Sequence, residues 1–331
     1  MSKYKICGVG HALVDMEFEV SADFLQKLGI DKGVMTLIDE ERQKEVLGNL
    51  ADSSAKKISG GSAANTIVAA SQLGATCFYS CKVAGDDTGA FYIEDLASSG
   101  VDSNFYNKNR PDGVTGKCLV LVTPDADRTM NTYLGISETV STDELVPEAI
   151  ADSEYIYTEG YLVTSPSGKA AAIKALELAR EAGVKTSFSL SDPNMVQFFK
   201  EGLLEIIGPG VDFLFANDAE AMKMADTEDL TAAVEGLKQL AKSFAITRGA
   251  EGALIFDGNE IIEIAPNPVK AIDTVGAGDM FAGAFLYGIT NGMSFSRAGD
   301  LASLASSRVV TIYGPRMTPE ETQSLLKEFL A

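Results

Sequence analysis

Residues 273–285 read DTVGAGDMFAGAF and join a glycine-rich turn to a run of small and apolar residues. A helix that begins here would present the free backbone N–H groups of Gly276, Ala277 and Gly278 to an anion, and its dipole favours negative charge there. Asp279 follows directly, although a second negative charge would repel that anion. Both features are useful if the turn holds a phosphoryl group in transfer while Asp279 accepts the proton of the attacking hydroxyl. A helix-capping aspartate is the alternative.

The rest of the chain surrounds this turn with strands and helices in a regular order. From about residue 140 onward, apolar strands alternate with helical segments. That pattern predicts a parallel sheet with helices on both faces. The β-rich segments near 12–38 and 112–134 lack the alternation, and they predict a separate small sheet inserted twice into the main domain. The large domain would then comprise residues 1–11, 39–111 and 135–331.

The composition limits the classes of partner. The 331 residues are 46% hydrophobic and 22% charged, which is ordinary for a soluble globular protein, and no stretch reaches about 18 uninterrupted apolar residues. The formal net charge of −20 argues against nucleic acid or an anionic membrane as a partner, but not against a small anion held locally.

The cysteine pattern bears on the cellular compartment. The four cysteines form no C-x-x-C pair, and a single histidine is present to assist metal binding. We therefore expect reduced thiols in a cytoplasmic protein, with neither a histidine-based zinc site nor a serine-histidine triad.

A second glycine-rich segment, SGGSAAN at 59–65, precedes another helical pattern. Gly60 and Gly61 would let a ligand approach the backbone, and the amide of Asn65 can bond a hydroxyl. An ordinary helix start after two glycines is the alternative interpretation.

The segment CGVGHALVD carries two further candidates. It has a G-x-G but no third glycine, which argues against a dinucleotide fingerprint. Asp15 could clamp two vicinal hydroxyls or be a solvated strand-end acid. His11 is either a ligand contact beside it or a packed residue.

Two polar segments follow later strands. FANDAEA places Asn217 and Glu220 where they could organise waters around Mg²⁺, or form a capping box. TRGAEG at 247–252 is a polar loop at the carboxyl end of a strand, where ligands bind in such sheets; a plain turn is the alternative.

In this order and spacing, these motifs resemble the ribokinase/PfkB family of sugar and nucleoside kinases over essentially the whole chain. GGSAAN is similar to its first signature, DTVGAGDMFAGAFL to its second, NDAE to its magnesium motif and TRGAEG to its nucleotide loop. The resemblance implies a three-layer, Rossmann-like α/β core with helices on both faces of the sheet, a small β-sheet lid, ATP as donor and Mg²⁺. It also allows a monovalent cation such as K⁺ near Asp273 and Val275.

The resemblance also implies residue roles. Asp279 would be the base, and Gly276, Ala277 and Gly278 the anion hole. The remaining roles implied are acceptor binding for His11, Asp15, Gly60, Gly61 and Asn65; ATP binding for Asn217, Thr247, Gly249 and Gly252; and magnesium binding through water for Asn217 and Glu220.

Within the family, RTMNTYLG, YTEGYLV, SLSDPNMVQFF and FANDAEA are similar to the adenosine kinase branch. Arg128 would then reach the transferred phosphoryl group from the lid. Two residues depart from that branch: His11 replaces an asparagine, and Asn194 replaces a phenylalanine that stacks on adenine.

The expected activity is therefore phosphorylation of a primary hydroxyl on an adenosine-like nucleoside or a sugar, by a monomer or homodimer. A simple sugar kinase of the ribokinase or fructokinase type and a non-catalytic ligand-binding protein are the alternatives.

Overall fold

Two β-sheets organise the protein in a computed structural model that describes residues 2–50, 56–105, 110–124 and 128–331. The described strands are β1 (Tyr4–Val9), β2 (Leu13–Glu19), β3 (Met35–Leu37), β4 (Lys56–Gly60), β5 (Cys77–Ser80), β6 (Val101–Ser103), β7 (Thr115–Val122), β8 (Arg128–Gly135), β9 (Ser153–Glu159), β10 (Lys185–Ser189), β11 (Val211–Asn217), β12 (Ala241–Thr247), β13 (Ala253–Phe256) and β14 (Ile261–Ile264). The described helices are α1 (Ala22–Lys27), α2 (Glu40–Asn49), α3 (Ser62–Leu73), α4 (Asp87–Ser98), α5 (Pro147–Ala151), α6 (Pro166–Glu181), α7 (Pro193–Ile207), α8 (Asp218–Met224), α9 (Leu230–Leu237), α10 (Ala277–Thr290), α11 (Phe295–Val309) and α12 (Pro319–Leu330).

The large sheet has the order β14-β13-β12-β11-β10-β9-β1-β5-β6 among the described strands. The strands from β12 to β6 pair in parallel, as the sequence predicts. At one edge, β13 and β14 are antiparallel, which the prediction of a parallel sheet missed. The link between β12 and β13 is residues 248–252, and this is too short for the crossover that a parallel pair requires.

Helices cover both faces of the large sheet and bury one apolar core on each. One core packs α3, α10, α11 and α12 against the sheet, and the other packs α5 to α9. β1 is buried along almost its whole length, which explains why YKICGV carries no polar alternation. The predicted three-layer α/β fold is confirmed. Among the described residues, every helix is too short or too polar to span a lipid bilayer.

The small sheet has the order β3-β8-β7-β2-β4 among the described strands, and it forms the predicted lid. Its third core joins Phe18 and Leu119 of the sheet to Leu25 of α1 and Val46 of α2. Both α2 and β4 therefore accompany the lid, whereas the sequence placed residues 39–111 in the large domain. The sequence pattern did not predict β4, because this strand is short and begins with two exposed lysines. Residues 125–127, between β7 and β8, lie outside the described residues.

Close packing of α10 on α3 brings the two glycine-rich motifs together. A Cβ atom on Gly283 of α10 would lie 2.4 Å from the carbonyl oxygen of Thr66 on α3, so only glycine permits this approach. At the start of α10, Gly276 has φ +80°, and a Cβ atom there would lie 2.5 Å from the carbonyl oxygen of Pro315. The first turns of both helices therefore face the same space.

Candidate active site

A cavity of about 690 Å³ lies between the lid and the carboxyl ends of the large-sheet strands. It brings together most of the residues that the sequence singled out. Those on its wall are His11, Gly61, Asn65, Asn217, Glu220, Thr247, Gly276, Gly278 and Asp279. Asp15, Gly60, Ala277, Arg128, Gly249 and Gly252 do not line it.

Asp279 is held by two side chains of α3 rather than acting as a helix cap. Ser62 Oγ donates to Asp279 Oδ1 at 2.6 Å, and Asn65 Nδ2 donates to Oδ2 at 3.0 Å. The residue that caps α10 is Gly276, without a side-chain hydrogen bond. Burial raises the pKa of Asp279 to about 6, although the hydrogen bonds from Ser62 and Asn65 oppose that rise. Such a carboxylate is ionised at neutral pH and is more basic than an ordinary aspartate.

A buried arginine that the sequence did not indicate orients Asn65. Arg316, 8% exposed, donates from Nε to Asn65 Oδ1 at 2.7 Å and from Nη1 to Ser59 Oγ at 2.9 Å. A guanidinium can only donate, so the amide of Asn65 must turn its oxygen to Arg316 and its nitrogen to Asp279. No local signal marks Arg316, because it lies in the loop GPRM, 251 residues along the chain from Asn65.

Asp15 lies behind the cavity wall, close to the same arginine. Burial raises its pKa to about 6, Arg316 and Arg128 oppose that rise, and Asp279 adds to it. A Cβ atom on Gly60 would lie 2.6 Å from Asp15 Oδ2, and one on Gly61, at φ +102°, would lie 2.4 Å from the carbonyl oxygen of His11. Contacts within this chain therefore require glycine at both positions, and ligand approach to their backbone stays a prediction.

Asn217 and Glu220 form the capping box that was the alternative to a metal role. Glu220 N donates to Asn217 Oδ1 at 2.8 Å, and Asn217 N and Nδ2 donate to the two carboxylate oxygens at 3.0 and 2.7 Å. Burial raises the pKa of Glu220 to about 7. Among the described residues, no three acidic, cysteine or histidine side chains cluster as a metal site. The two side chains bond each other in this box, and their contact with magnesium through water stays a prediction.

The predicted nucleotide loop reaches the cavity only at Thr247. Gly252 has φ +85°, and a Cβ atom there would lie 2.1 Å from the carbonyl oxygen of Ile264, so its glycine is required by the turn into β13. Gly249, at φ +52°, has nothing within 4 Å of an added Cβ. ATP contacts by these two glycines stay a prediction.

Arg128 connects the lid to the turn before α10. Its guanidinium forms ion pairs with Glu17 and Asp273. Asp273 also accepts hydrogen bonds from the backbone of Val275 at 3.0 Å and Gly314 at 2.9 Å. Arg128 therefore contacts the turn before α10 from the lid side, and its contact with a phosphoryl group stays a prediction. Binding of a monovalent cation near Asp273 also stays a prediction.

Apolar side chains from both domains line the cavity. The lid contributes Leu13, Met35, Leu37, Met130 and Leu134, and the large domain contributes Tyr161, Met195, Phe215, Ala216, Val275 and Phe281. Asn194, which was expected to face a base, is exposed and does not line the cavity. Met195 occupies that wall instead. Phe198, which could have supplied an aromatic face nearby, is 70% exposed and also lies off the wall.

Comparison with known proteins assigns the family. The family model described as pfkB family carbohydrate kinase matches residues 26–322. A probable sugar kinase protein from Rhizobium etli CFN 42 is 33% identical, with a TM-score of 0.88 and 99% of both chains covered. The adenosine kinase from Sinorhizobium meliloti is 32% identical, with the same TM-score and coverage. The adenosine kinase of Dictyostelium discoideum is 27% identical over 97% of this chain and 98% of its own.

These matches confirm the resemblance and the kinase class that the motifs predicted. The family model covers both glycine-rich signatures and most of the sequence between and around them. The chain belongs to the pfkB family of carbohydrate kinases.

Proposed function

We propose that this kinase transfers the terminal phosphoryl group of ATP to a primary hydroxyl of a nucleoside, with Asp279 as the base. The observation that supports the proposal is that one cavity is lined by Asp279, by the open backbone of Gly278 and by apolar side chains of both domains. A hydroxyl bound between them would lie within reach of both the proton acceptor and the phosphoryl group.

The roles of the chain's own groups follow from that arrangement. Asp279 takes the hydroxyl proton, and Ser62 and Asn65 hold its carboxylate at a fixed angle. The first N–H groups of α10 stabilise charge on the phosphoryl oxygens. Mg²⁺, when bound through waters near Asn217 and Glu220, supplies further positive charge to the phosphates. The lid covers the cavity and excludes water that would otherwise hydrolyse ATP.

The apolar side chains in the lining of the cavity favour a nucleoside over a simple sugar. Methionine and leucine side chains pack well on the flat face of a base, and a thioether makes favourable contacts with aromatic rings. A pentose or hexose alone would leave that surface uncovered. A panel of adenosine, inosine, cytidine, ribose and fructose with ATP tests this. Use of fructose with no activity on nucleosides would support a sugar kinase, and no transfer to any acceptor would support a binding protein.

Gly278→Ala is expected to lower kcat roughly 10- to 100-fold without unfolding the protein. Gly278 is on the cavity wall, and nothing lies within 4 Å of a Cβ atom built there, so the added methyl would occupy the space proposed for the phosphoryl group. Gly48→Ala in α2 is the matched control, because that helical glycine also has nothing within 4 Å. Steady-state kinetics and thermal melts of both variants test the prediction. Equal activity of the two would contradict an anion site at Gly278.

The rate is also expected to depend on pH through the base. A carboxylate must be ionised to accept a proton, and the pKa values of Asp279 and Asp15 are both raised to about 6. As pH falls through 6, kcat/KM should therefore decrease by about tenfold or more per pH unit, and it should level off above 7. Kinetics between pH 5 and 8, with circular dichroism at each pH, measure this. A flat profile in a folded enzyme would argue against a carboxylate base.

A further inference from the structure

Asp192 places a carboxylate on the cavity wall that the transfer reaction does not use. Its Oδ1 accepts a hydrogen bond from the backbone N of Asn194 at 2.6 Å and thereby caps α7. Its Oδ2 forms no hydrogen bond with any described residue, and no lysine or arginine among them forms an ion pair with Asp192. One oxygen of this carboxylate is therefore available to a ligand in the cavity.

The turn before α7 fixes the position of this carboxylate. Ser191 has φ +72°, in the left-handed region that residues other than glycine rarely adopt. Its Oγ accepts a hydrogen bond from the backbone N of Gly160 at 2.8 Å, and its backbone N donates to Ser189 Oγ at 3.2 Å. Because these bonds hold the turn, Asp192 is in place on the wall before a ligand binds.

The groups near Asp192 indicate which kind of ligand atom it would meet. Burial raises the pKa of Tyr161, and the charge of Asp192 adds to that rise, so these two residues of the wall lie near each other. Met195 lines the cavity from the same helix that Asp192 caps. The described part of the cavity lining contains no lysine or arginine, so a phosphate beside Asp192 would be repelled. The N–H edge of a flat base could instead bond Asp192 while its face packs on Tyr161 and Met195.

We propose that Asp192 determines acceptor specificity, because its Oδ2 accepts a hydrogen bond from an amino group on the base of the nucleoside. The acceptors that it selects are amino-bearing nucleosides such as adenosine and cytidine. An oxo group at the same place, as in inosine and uridine, turns lone pairs toward the carboxylate and is rejected. This inference rests on the proposed function, because it narrows the class of nucleoside that the site takes.

Asp192→Asn is the first test, because the helix cap determines how the new amide lies. The backbone N of Asn194 needs an acceptor, so the amide oxygen replaces Oδ1 and the amide nitrogen, which is a donor, replaces Oδ2. The ratio of kcat/KM for adenosine to that for inosine, and for cytidine to that for uridine, should therefore decrease roughly tenfold or more. An equal change for all four nucleosides would refute the proposal. An increase in the Mg²⁺ requirement that is the same for every acceptor would assign Asp192 to the metal instead.

Binding without transfer is the second test, and it separates this inference from the proposed function. Calorimetry without ATP compares adenosine with purine riboside, which lacks only the amino group. We expect the wild type to bind adenosine roughly tenfold more tightly or better, and Asp192→Ser, which keeps a capping oxygen without the carboxylate, to lose most of that difference. Equal binding of the two nucleosides by the wild type would overturn the role of Asp192 alone. Binding of neither, in an enzyme that phosphorylates a sugar, would overturn the nucleoside proposal and this inference with it.

Asp229→Asn is the matched control for both tests. Asp229 caps α9 by accepting from the backbone N of Thr231 at 3.0 Å, as Asp192 caps α7, but it does not line the cavity. This variant should keep the selectivity of the wild type, and thermal melts of all variants measure what each cap contributes to stability. The same loss of selectivity in Asp229→Asn would assign the effect to helix capping and refute the proposal. If Asp192→Asn does not fold, Asp192→Ser and the wild-type comparison of adenosine with purine riboside still decide it.

Discussion

Asp279→Asn is expected to give a folded protein whose kcat is lower by on the order of 10²–10⁴. An asparagine has nearly the same shape, and its amide can satisfy both present neighbours: its oxygen can accept from Asn65, and its nitrogen can donate to Ser62. It cannot accept a proton from the acceptor hydroxyl. Measuring kcat, the KM values for both substrates and the circular dichroism spectrum together separates loss of the base from loss of binding or fold.

The same variant should change how stability depends on pH. Because burial raises the pKa of Asp279, the folded protein favours the protonated form, and the ionised form destabilises it as pH rises through about 6. An asparagine removes this dependence, so the variant should melt higher than wild type at pH 8 and closer to it at pH 5. Asp300→Asn on the exposed side of α11 is the control and should retain activity. A folded Asp279→Asn enzyme within a few-fold of wild type would refute Asp279 as the base.

Arg316→Met is expected to lower the free energy of unfolding by about 3–5 kcal/mol and to reduce activity sharply, since it leaves buried polar partners without their cation. Arg316 opposes the rise in the pKa of Asp15 and Asp279. Without it, both pKa values should rise further, and the acid limb of the kcat/KM profile should move to higher pH. A purely structural arginine would lower activity without moving that limb.

Arg316→Lys separates charge from geometry. A lysine keeps the positive charge near both aspartates but cannot hold Asn65 and Ser59 at once through two nitrogens of a rigid plane. The acid limb should then stay near that of wild type, while kcat decreases because the Asn65 amide no longer has a fixed orientation. Arg308→Met, at an exposed pair with Glu328, is the control for removing an arginine from the same region. Superimposable pH profiles for wild type and Arg316→Met would show that Arg316 acts on the fold alone.

The local motifs were predictable because their physical reasons lie within a few residues. Gly276 requires a positive φ, and the helix start follows directly, so the turn and the start of α10 could be predicted without tertiary information. The anion site at this turn stays a prediction. The alternation of apolar strands with helices likewise gave the three-layer fold. Such local patterns do not always identify a role. The spacing of Asn217 and Glu220 is found both in an ordinary helix start and at a cavity wall, so the sequence alone could not distinguish the two.

The remaining features depend on contacts between distant parts of the chain. Glu159 reaches His11 across 148 positions, and Arg316 reaches Asn65 across 251. Neither spacing leaves a periodic signal, and a glutamate at the end of an apolar strand is ordinarily exposed. The expectation that Asn194 faces a base was wrong for a different reason. Similarity of short motifs indicates the helix but not which of its side chains face the cavity. Met195, one residue further along the chain, lines the cavity instead.

The division of the cavity between two sheets has an evolutionary consequence. Five apolar side chains of the cavity wall come from lid strands, Leu13, Met35, Leu37, Met130 and Leu134, whereas Asp279 and the two side chains that hold it lie on α10 and α3 of the large domain. The two sets belong to different elements, and the lid helices pack in their own core. We therefore expect substitutions in the lid to alter which acceptor is used without changing the groups proposed for phosphoryl transfer. Selection can diversify substrates in this architecture without rebuilding the chemistry.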